Sequence, residues 1–494
     1  MSSITATEGR APRSGAIIGV LASAGIVVSV MQTLIVPLIS ELPTLLHASA
    51  SNASWAVTAT LLAGAVATPV MGRLGDMYGK RRMLMLNLFL LIAGSLVSAL
   101  SSSLTPMIVG RALQGCAMAV IPLGISVMRD ELPPERLGSA MALMSSSIGI
   151  GGALGLPLSA LIAQHANWHV LFWASAGLGA VVALLVRMLV PESPVRSGGH
   201  FDAVGALGLT AGLLSLLIAI SKGGDWGWVS GTTLGLFAAA VVVLVAWGWW
   251  ELRTTDPLVD LRTTARRQVL LTNISSVVIG FAMYGMNLLV PQLLELPKAT
   301  GFGLGQSLVA AGMIIAPAGL VMMAVSPMSA RLSASSGPKV SLLTGALVIA
   351  VGYGLGLGLM SHVWGLLLMA CVIGAGIAFS YAAMPALIMS AVPTSETAAA
   401  NGLNTLMRSI GSSSSAAVIG VILAHQTTSF GQAVIPSEHG FRIGFVLCGV
   451  VALLAAALTL AIPGRKKAKR PEAAQHAVVR TEDSSLEASG TTAV

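Results

Sequence analysis

Fourteen apolar runs, each long enough to cross a bilayer, dictate what this chain can become. A helical span needs roughly 20 apolar residues. The runs fall near 15–39, 53–72, 83–102, 105–128, 138–162, 168–190, 203–221, 230–250, 269–293, 305–326, 339–360, 363–391, 400–424 and 441–462, numbered here as spans 1 to 14. With 55% hydrophobic and 9% charged residues, the chain has too little polar surface to enclose those runs in a water-soluble core. Barrel strands would appear as alternating segments of about 10 residues, whereas these runs are continuous and much longer. The expected fold class is therefore all-α, an integral membrane protein with fourteen transmembrane helices. The first run follows Arg10 and Arg13 but is too long for a signal peptide, and no small-residue cleavage site closes it, so it is expected to remain as a helix.

Lys and Arg mark the cytoplasmic side of a multi-pass protein. With the N-terminus inside, the inner segments hold Arg73, Lys80 to Arg82, Arg129, Arg136, Arg187, Arg196, Arg253, Arg262, Arg266, Arg267, Arg331 and Lys339, whereas the outer loops hold Lys222, Lys298 and Arg442. Both termini are thus expected to be cytoplasmic at the plasma membrane, and the net charge of +8 reads as topology, with no nucleic-acid surface. The polar stretch after Pro463, with its RKKAKR run at 465–470, reads as a disordered tail whose charges stop transfer or meet lipid head groups.

The chain repeats itself. VPLISELP at 36–43 returns as VPQLLELP at 290–297, PVMGRLGDMYGKR at 69–81 as PMSARLSASSGPK at 327–339, and LPPERLGSAMAL at 132–143, more weakly, as VPTSETAAANGL at 392–403. Three matches in the same order imply two six-helix bundles related by a pseudo-two-fold axis, with two inserted helices between them. The expected parts are a cytoplasmic tail at 1–14, an N-terminal bundle at 15–195, the inserted helices at 196–264, a C-terminal bundle at 265–462 and the tail at 463–494. Substrate sites in such repeats lie at the interface of the halves.

GRLGDMYGKRR at 72–82 resembles the loop signature of the major facilitator superfamily, with Gly72, Asp76, Gly79, Lys80 and Arg81 in place between spans 2 and 3. The glycines allow close helix approach, Asp76 can accept hydrogen bonds from a helix N-terminus, and the basic cluster holds the loop inside, which together make a latch. A bare positive-inside turn is the structural alternative. RALQG at 111–115 resembles the superfamily's fourth-span motif, implicated in proton coupling, with Arg111 and Gln114 as the coupling candidates. Arg111 lies about 9 Å below the outer surface at 1.5 Å per residue, where it either serves function or snorkels outward. Arg408, comparably deep from the inner side, is expected to snorkel, with a functional role as the alternative. GIGGALGLPLSA at 149–160 is similar to the glycine-rich export motif of span 5, carrying Gly151, Gly155 and Pro157, but a leucine separates Gly155 from Pro157, and small-residue helix packing alone is the alternative. Fourteen spans, HFDAVG at 200–205, DWGW at 225–228 and DPLVDL at 256–261 together resemble the fourteen-helix drug:proton antiporter branch.

The span-1 aspartate common in that branch is absent: the matching stretch is MQTLIVP at 31–37. Gln32 and Thr33 reach the depth of Arg111, so Gln32 is the expected neutral neighbour of its charge. Glu41 and Glu295 sit at outer span ends, where each either meets water at the rim or accepts protons. Met31, Gln32, Thr33, Tyr284, Met286, Asn287 and Tyr381 are candidate cavity residues that could equally be packing. With no carboxylate at mid-depth, the expected cavity is neutral to positive and favours neutral, zwitterionic or anionic amphipathic substrates.

No GxxxxGK[ST] occurs, the glycine ladder at 352–358 lies inside span 11, and no His/Cys/carboxylate cluster or GxSxG is present. No enzyme, metal or cofactor is therefore expected, and the outer-loop histidines read as solvated. The resemblance implies a monomeric, proton-coupled exporter of small molecules, multidrug efflux among its forms; an uptake carrier or uniporter of the same fold and a transport-dead sensor are the alternatives.

Overall fold

The computed structural model describes residues 10–35, 38, 42–430 and 433–463; Pro37, Glu41 and the RKKAKR run lie outside the described residues. Among the described residues, fourteen helices are long and apolar enough to cross a membrane. They are α1 (Arg10–Thr33), α2 (Trp55–Tyr78), α3 (Lys80–Ala99), α4 (Leu104–Glu131, with a 3-10 turn at Ala117–Ala119), α5 (Pro134–His165), α6 (His169–Leu189), α7 (Ala203–Trp226), α8 (Gly231–Glu251), α9 (Arg267–Glu295), α10 (Leu308–Ser336), α11 (Pro338–Leu359), α12 (Val363–Met389), α13 (Thr397–His425) and α14 (Glu438–Leu460). A two-stranded hairpin, Thr427–Phe430 against Ala433–Pro436, joins α13 to α14 and departs from the all-helical expectation. Several starts are capped by side chains: Asp202 accepts from the Gly205 amide, Ser307 from Ala310 and Ser437 from Gly440.

The helices divide into two bundles. One core draws on α9 to α14, from Ile279 to Ile462, and another chiefly on the N-terminal helices, from Ile17 to Val190, joined by Met389 of α12 and Ala398 of α13. Leu209, Leu213 and Leu217 of α7 pack with Leu62 of α2 and with Leu403 and Leu406 of α13, so the first inserted helix lies against both halves. On α8, Val241, Val242 and Val245 are exposed, as suits a lipid-facing helix.

The stretch expected as a loop at 72–82 is mostly helix. Because α2 runs on to Tyr78 and α3 starts at Lys80, Gly79 is the whole break. Its φ of +119° is a conformation that an L side chain adopts only under strain. The repeat reproduces this: α10 extends to Ser336, α11 starts at Pro338, and Gly337 has φ of +92°. The basic residues that follow also correspond. Arg81 donates to the Arg187 carbonyl at the end of α6, 3.0 Å away, while Lys339 donates to the Leu460 and Ile462 carbonyls at the end of α14, at 2.9 and 2.6 Å. In each half a cation closes the C-terminus of the last helix, where unpaired carbonyls and the helix dipole favour positive charge.

The two glycines differ in their surroundings. A Cβ on Gly79 would lie 2.6 Å from a Glu192 carboxylate oxygen, whereas one on Gly337 would meet nothing within 4 Å. Gly337→Ala is expected to carry only backbone strain, about 1–2 kcal/mol, and Gly79→Ala to lower the unfolding temperature further; thermal melts of the purified variants check the order.

Candidate functional site

The halves meet along two helix pairs that the repeat relates to each other, α2 with α13 and α10 with α5. In both, small residues bring backbones together. A Cβ on Gly72 would lie 2.6 Å from the Ala398 carbonyl, and one on Gly319 would lie 2.2 Å from the Gly149 carbonyl. Ser146 of α5 bonds Ser326 of α10, and Ser145 donates to the Tyr381 carbonyl of α12 over 2.9 Å.

Asp76 stands at the Arg-rich end of the α2–α13 pair. Its Oδ1 accepts from the Ala398 amide at 3.2 Å and its Oδ2 from the Ala399 amide at 2.8 Å, in the first turn of α13. Those amides have no carbonyl within their own helix, and the helix start carries partial positive charge, so a carboxylate satisfies both needs. The carboxylate is fully buried, with Lys80 Nζ 3.8 Å away. Lys80 is fully buried too and pairs with Asp130, which also accepts from Ser193 Oγ. Lys80, expected only as part of the basic cluster that holds the loop inside, is a buried ion-pair partner: taking an ammonium from water requires paired anions, and Asp130 and Asp76 supply them.

Arg129 completes the junction. From the end of α4 its guanidinium donates to Thr397 Oγ1 at 2.6 Å, to the Met389 carbonyl at 2.7 Å and to the Val392 carbonyl at 3.2 Å. The N-terminal half thus sets an anion at the start of α13 and a cation at the end of α12, each complementing a helix dipole of the other half. Sequence reasoning missed Arg129 and Asp130 by counting that segment only for topology; a mixed-sign pair ending a span was the available signal.

Arg111 of α4 is buried in the N-terminal half. Its Nε donates to the Ala56 carbonyl of α2 at 3.1 Å; its Nη1 donates to the Met31 carbonyl of α1 at 3.3 Å and to Gln114 Oε1 at 2.8 Å. Gln114 passes the chain on to Ser95 of α3 at 2.8 Å. Gln32 is not the residue facing this charge. Consecutive helix residues point to different sides, and it is Met31 that presents both its carbonyl and its sulfur.

Gly151 and Gly155 serve helix approach: a Cβ on them would lie 2.2 Å from Ser29 Cβ and 1.8 Å from Thr33 Oγ1 of α1. Thr33 is thereby turned to packing, and Pro157 lies within α5. Met286 is buried in the C-terminal core, Tyr284 is half-buried, and Asn287 and Glu295 are exposed.

Tyr381 is the candidate cavity residue that lines the crevice between the halves, together with Ile121, Ile125, Ser145, Ile148, Pro385, Asn401, Asn404, Thr405 and Arg408. The crevice is about 10 Å³, room for one water molecule. Arg408 does not snorkel to the inner surface: its guanidinium carbon lies 4.5 Å over the Tyr381 ring, an arrangement worth about 0.5–2 kcal/mol. Asn404 donates to Asn273 Oδ1 at 2.9 Å and Ser276 Oγ at 2.7 Å, tying α13 to α9. A larger cavity of about 400 Å³ opens at the Arg-rich end, among Arg73, Asp256, Asp260 and Glu396, and shares no lining residue with the crevice.

Two six-helix halves meeting at a polar seam define the two-bundle class of membrane carrier folds. A sequence profile described as Major Facilitator Superfamily matches residues 21–416, and the chain belongs to that superfamily. It is 29% identical over 390 residues to the tetracenomycin C resistance and export protein of Streptomyces glaucescens, covering 77% of this chain and 70% of that one. It is 27% identical over 330 residues to the uncharacterized MFS-type transporter YhcA of Bacillus subtilis, covering 66% of this chain and 61% of that one. The solved structure of the proton:xylose symporter XylE superposes with a TM-score of 0.63 at 16% identity, covering 92% of this chain and 97% of that one, and shares the fold.

Charge-assisted hydrogen bonds to Asp76 are worth roughly 1.5–3 kcal/mol. Asp76→Asn is therefore expected to shift the closed-to-open balance of the Arg-rich end by about 10–100-fold and to lose most transport while inserting normally. In a background without native cysteines, an Ile148→Cys thiol should then react faster with a reagent applied at that end; an unchanged rate together with wild-type transport would remove Asp76 from the junction's energetics.

Proposed function

We propose that this protein is a secondary active transporter that exports small amphipathic compounds across the cell membrane in exchange for protons. The observation that carries the reading is Asp76 of one half capping the start of α13 in the other, with Arg129 at the end of α12 beside it. This junction closes one end of the seam through a few directional bonds, and such bonds can break together when the halves rock. The moving parts are residues 15–195 and 265–462, and the Arg-rich end is the cytoplasmic one, as the loop charges imply.

The relative named for tetracenomycin C resistance and export supports export over uptake. Proton coupling is assigned to the Arg111–Gln114–Ser95 chain, which links four helices of the N-terminal half around one buried charge. A charge held among the described residues by carbonyl oxygens and the Met31 sulfur, with no carboxylate in its hydrogen bonds, responds strongly to any proton or helix that moves beside it. Glu295, and Glu41 by its place in the sequence, are the carboxylates proposed to accept protons at the outer span ends.

Proteoliposomes containing the purified protein and an amphipathic dye test this reading. The dye should move against its gradient when a pH gradient is imposed, and collapsing the gradient should stop it. Arg111→Ala should leave downhill movement and remove the response to pH. Equal wild-type rates with and without the gradient would mark a uniporter instead.

A further inference from the structure

We infer that Arg408 reads substrate charge in the crevice, pairing with an anionic oxygen at one end of a flat, apolar substrate whose other end donates a hydrogen bond to Asn401. The inference rests on the transport reading and adds the chemical class of the cargo.

Arg111 cannot fill this role, because its guanidinium is enclosed in the N-terminal half and occupied by Ala56, Met31 and Gln114. Arg408 lines the crevice, and among the described residues the one hydrogen bond its guanidinium makes is a long contact of 3.5 Å to Thr405 on its own helix. Tyr381 holds the guanidinium by its ring face, which leaves the edge donors for a planar anion such as a carboxylate, a geometry that arginine suits. None of the residues lining the crevice is acidic, so a cationic cargo would meet Arg408 with nothing to offset either charge.

Asn401 supplies the second point. It is 2% exposed and its Nδ2 donates to the Thr397 carbonyl at 2.9 Å, yet its Oδ1 is buried without a partner. Seven residues separate it from Arg408, so the two side chains lie on one face of α13 about 10 Å apart. Opposite them, Ile121, Ile125 and Ile148 of the N-terminal half form an apolar wall. An acid and a hydroxyl at opposite ends of a fused aromatic body match that pattern once the halves part.

Three probes with the same rings separate the possibilities: a hydroxynaphthoate with carboxylate and hydroxyl at opposite ends, its neutral amide, and the trimethylammonium analogue. Equilibrium binding to the full-length protein in detergent, with no gradient, keeps this test independent of the liposome assay, and either can fail alone. Wild type should bind the naphthoate about tenfold or more tighter than the amide, and the ammonium weakest. Arg408→Gln should erase the preference while changing the amide affinity less than about threefold, and Arg408→Lys should restore part of it. Asn401→Asp, with Arg408 intact, should weaken the naphthoate and spare the amide, which keeps the test open if an Arg408 variant misfolds. A preference that survives Arg408→Gln, a wild type that favours the ammonium, or no binding of the naphthoate by wild type would each overturn the assignment.

Discussion

The closure of this protein at its Arg-rich end depends on one carboxylate placed where a helix begins. Asp76 is fully buried, and a buried carboxylate is costly unless nearly every lone pair finds a donor. It finds the Ala398 and Ala399 amides in a helix of the other half. The same atoms that make burial tolerable therefore hold the two halves together, and both partners must turn to water when they separate. Lys80, Asp130 and Ser193 form a second layer behind it, all within the N-terminal half.

The repeat makes this closure one-sided. The register that pairs Gly79 with Gly337 sets Ala334 where Asp76 stands, so the counterpart seam between α10 and α5 has no carboxylate at that place. It relies instead on close backbone approach at Gly319 and on the pairing of Ser146 with Ser326. Sliding contacts between small residues resist motion less than a buried ion held by directional bonds. The duplicated halves thus share a scaffold, down to the cation that closes the last helix of each, while the switchable element occurs at one seam only.

Much of the architecture was legible in the sequence because bilayer thickness imposes a length that composition alone reveals. The fourteen runs and the doubled phrases needed no knowledge of packing. The junction itself was less legible. Asp76 and its glycines are visible, yet nothing local names α13 as the partner, 322 residues away. Arg129 looked like one more inner-loop charge because its acceptors are backbone carbonyls, which leave no mark in a sequence. Arg408 was misjudged for a related reason. Depth along a helix can be counted, but the side it faces depends on the neighbour, and Tyr381 lies on another span. Gln32 and Met31 show the same limit at one residue's resolution: the depth was similar and the direction was not.

The closure is read out by the distance between the two halves at the Arg-rich end. Spin labels on Ser139 of α5 and Ser335 of α10, both exposed, would report it by pulsed electron resonance in nanodiscs, with the native cysteines replaced. A single short-distance population is predicted for the otherwise native protein, joined by a longer one when Asp76 is changed to Asn. Identical distributions in the two proteins would mean that the carboxylate is not what holds that end closed.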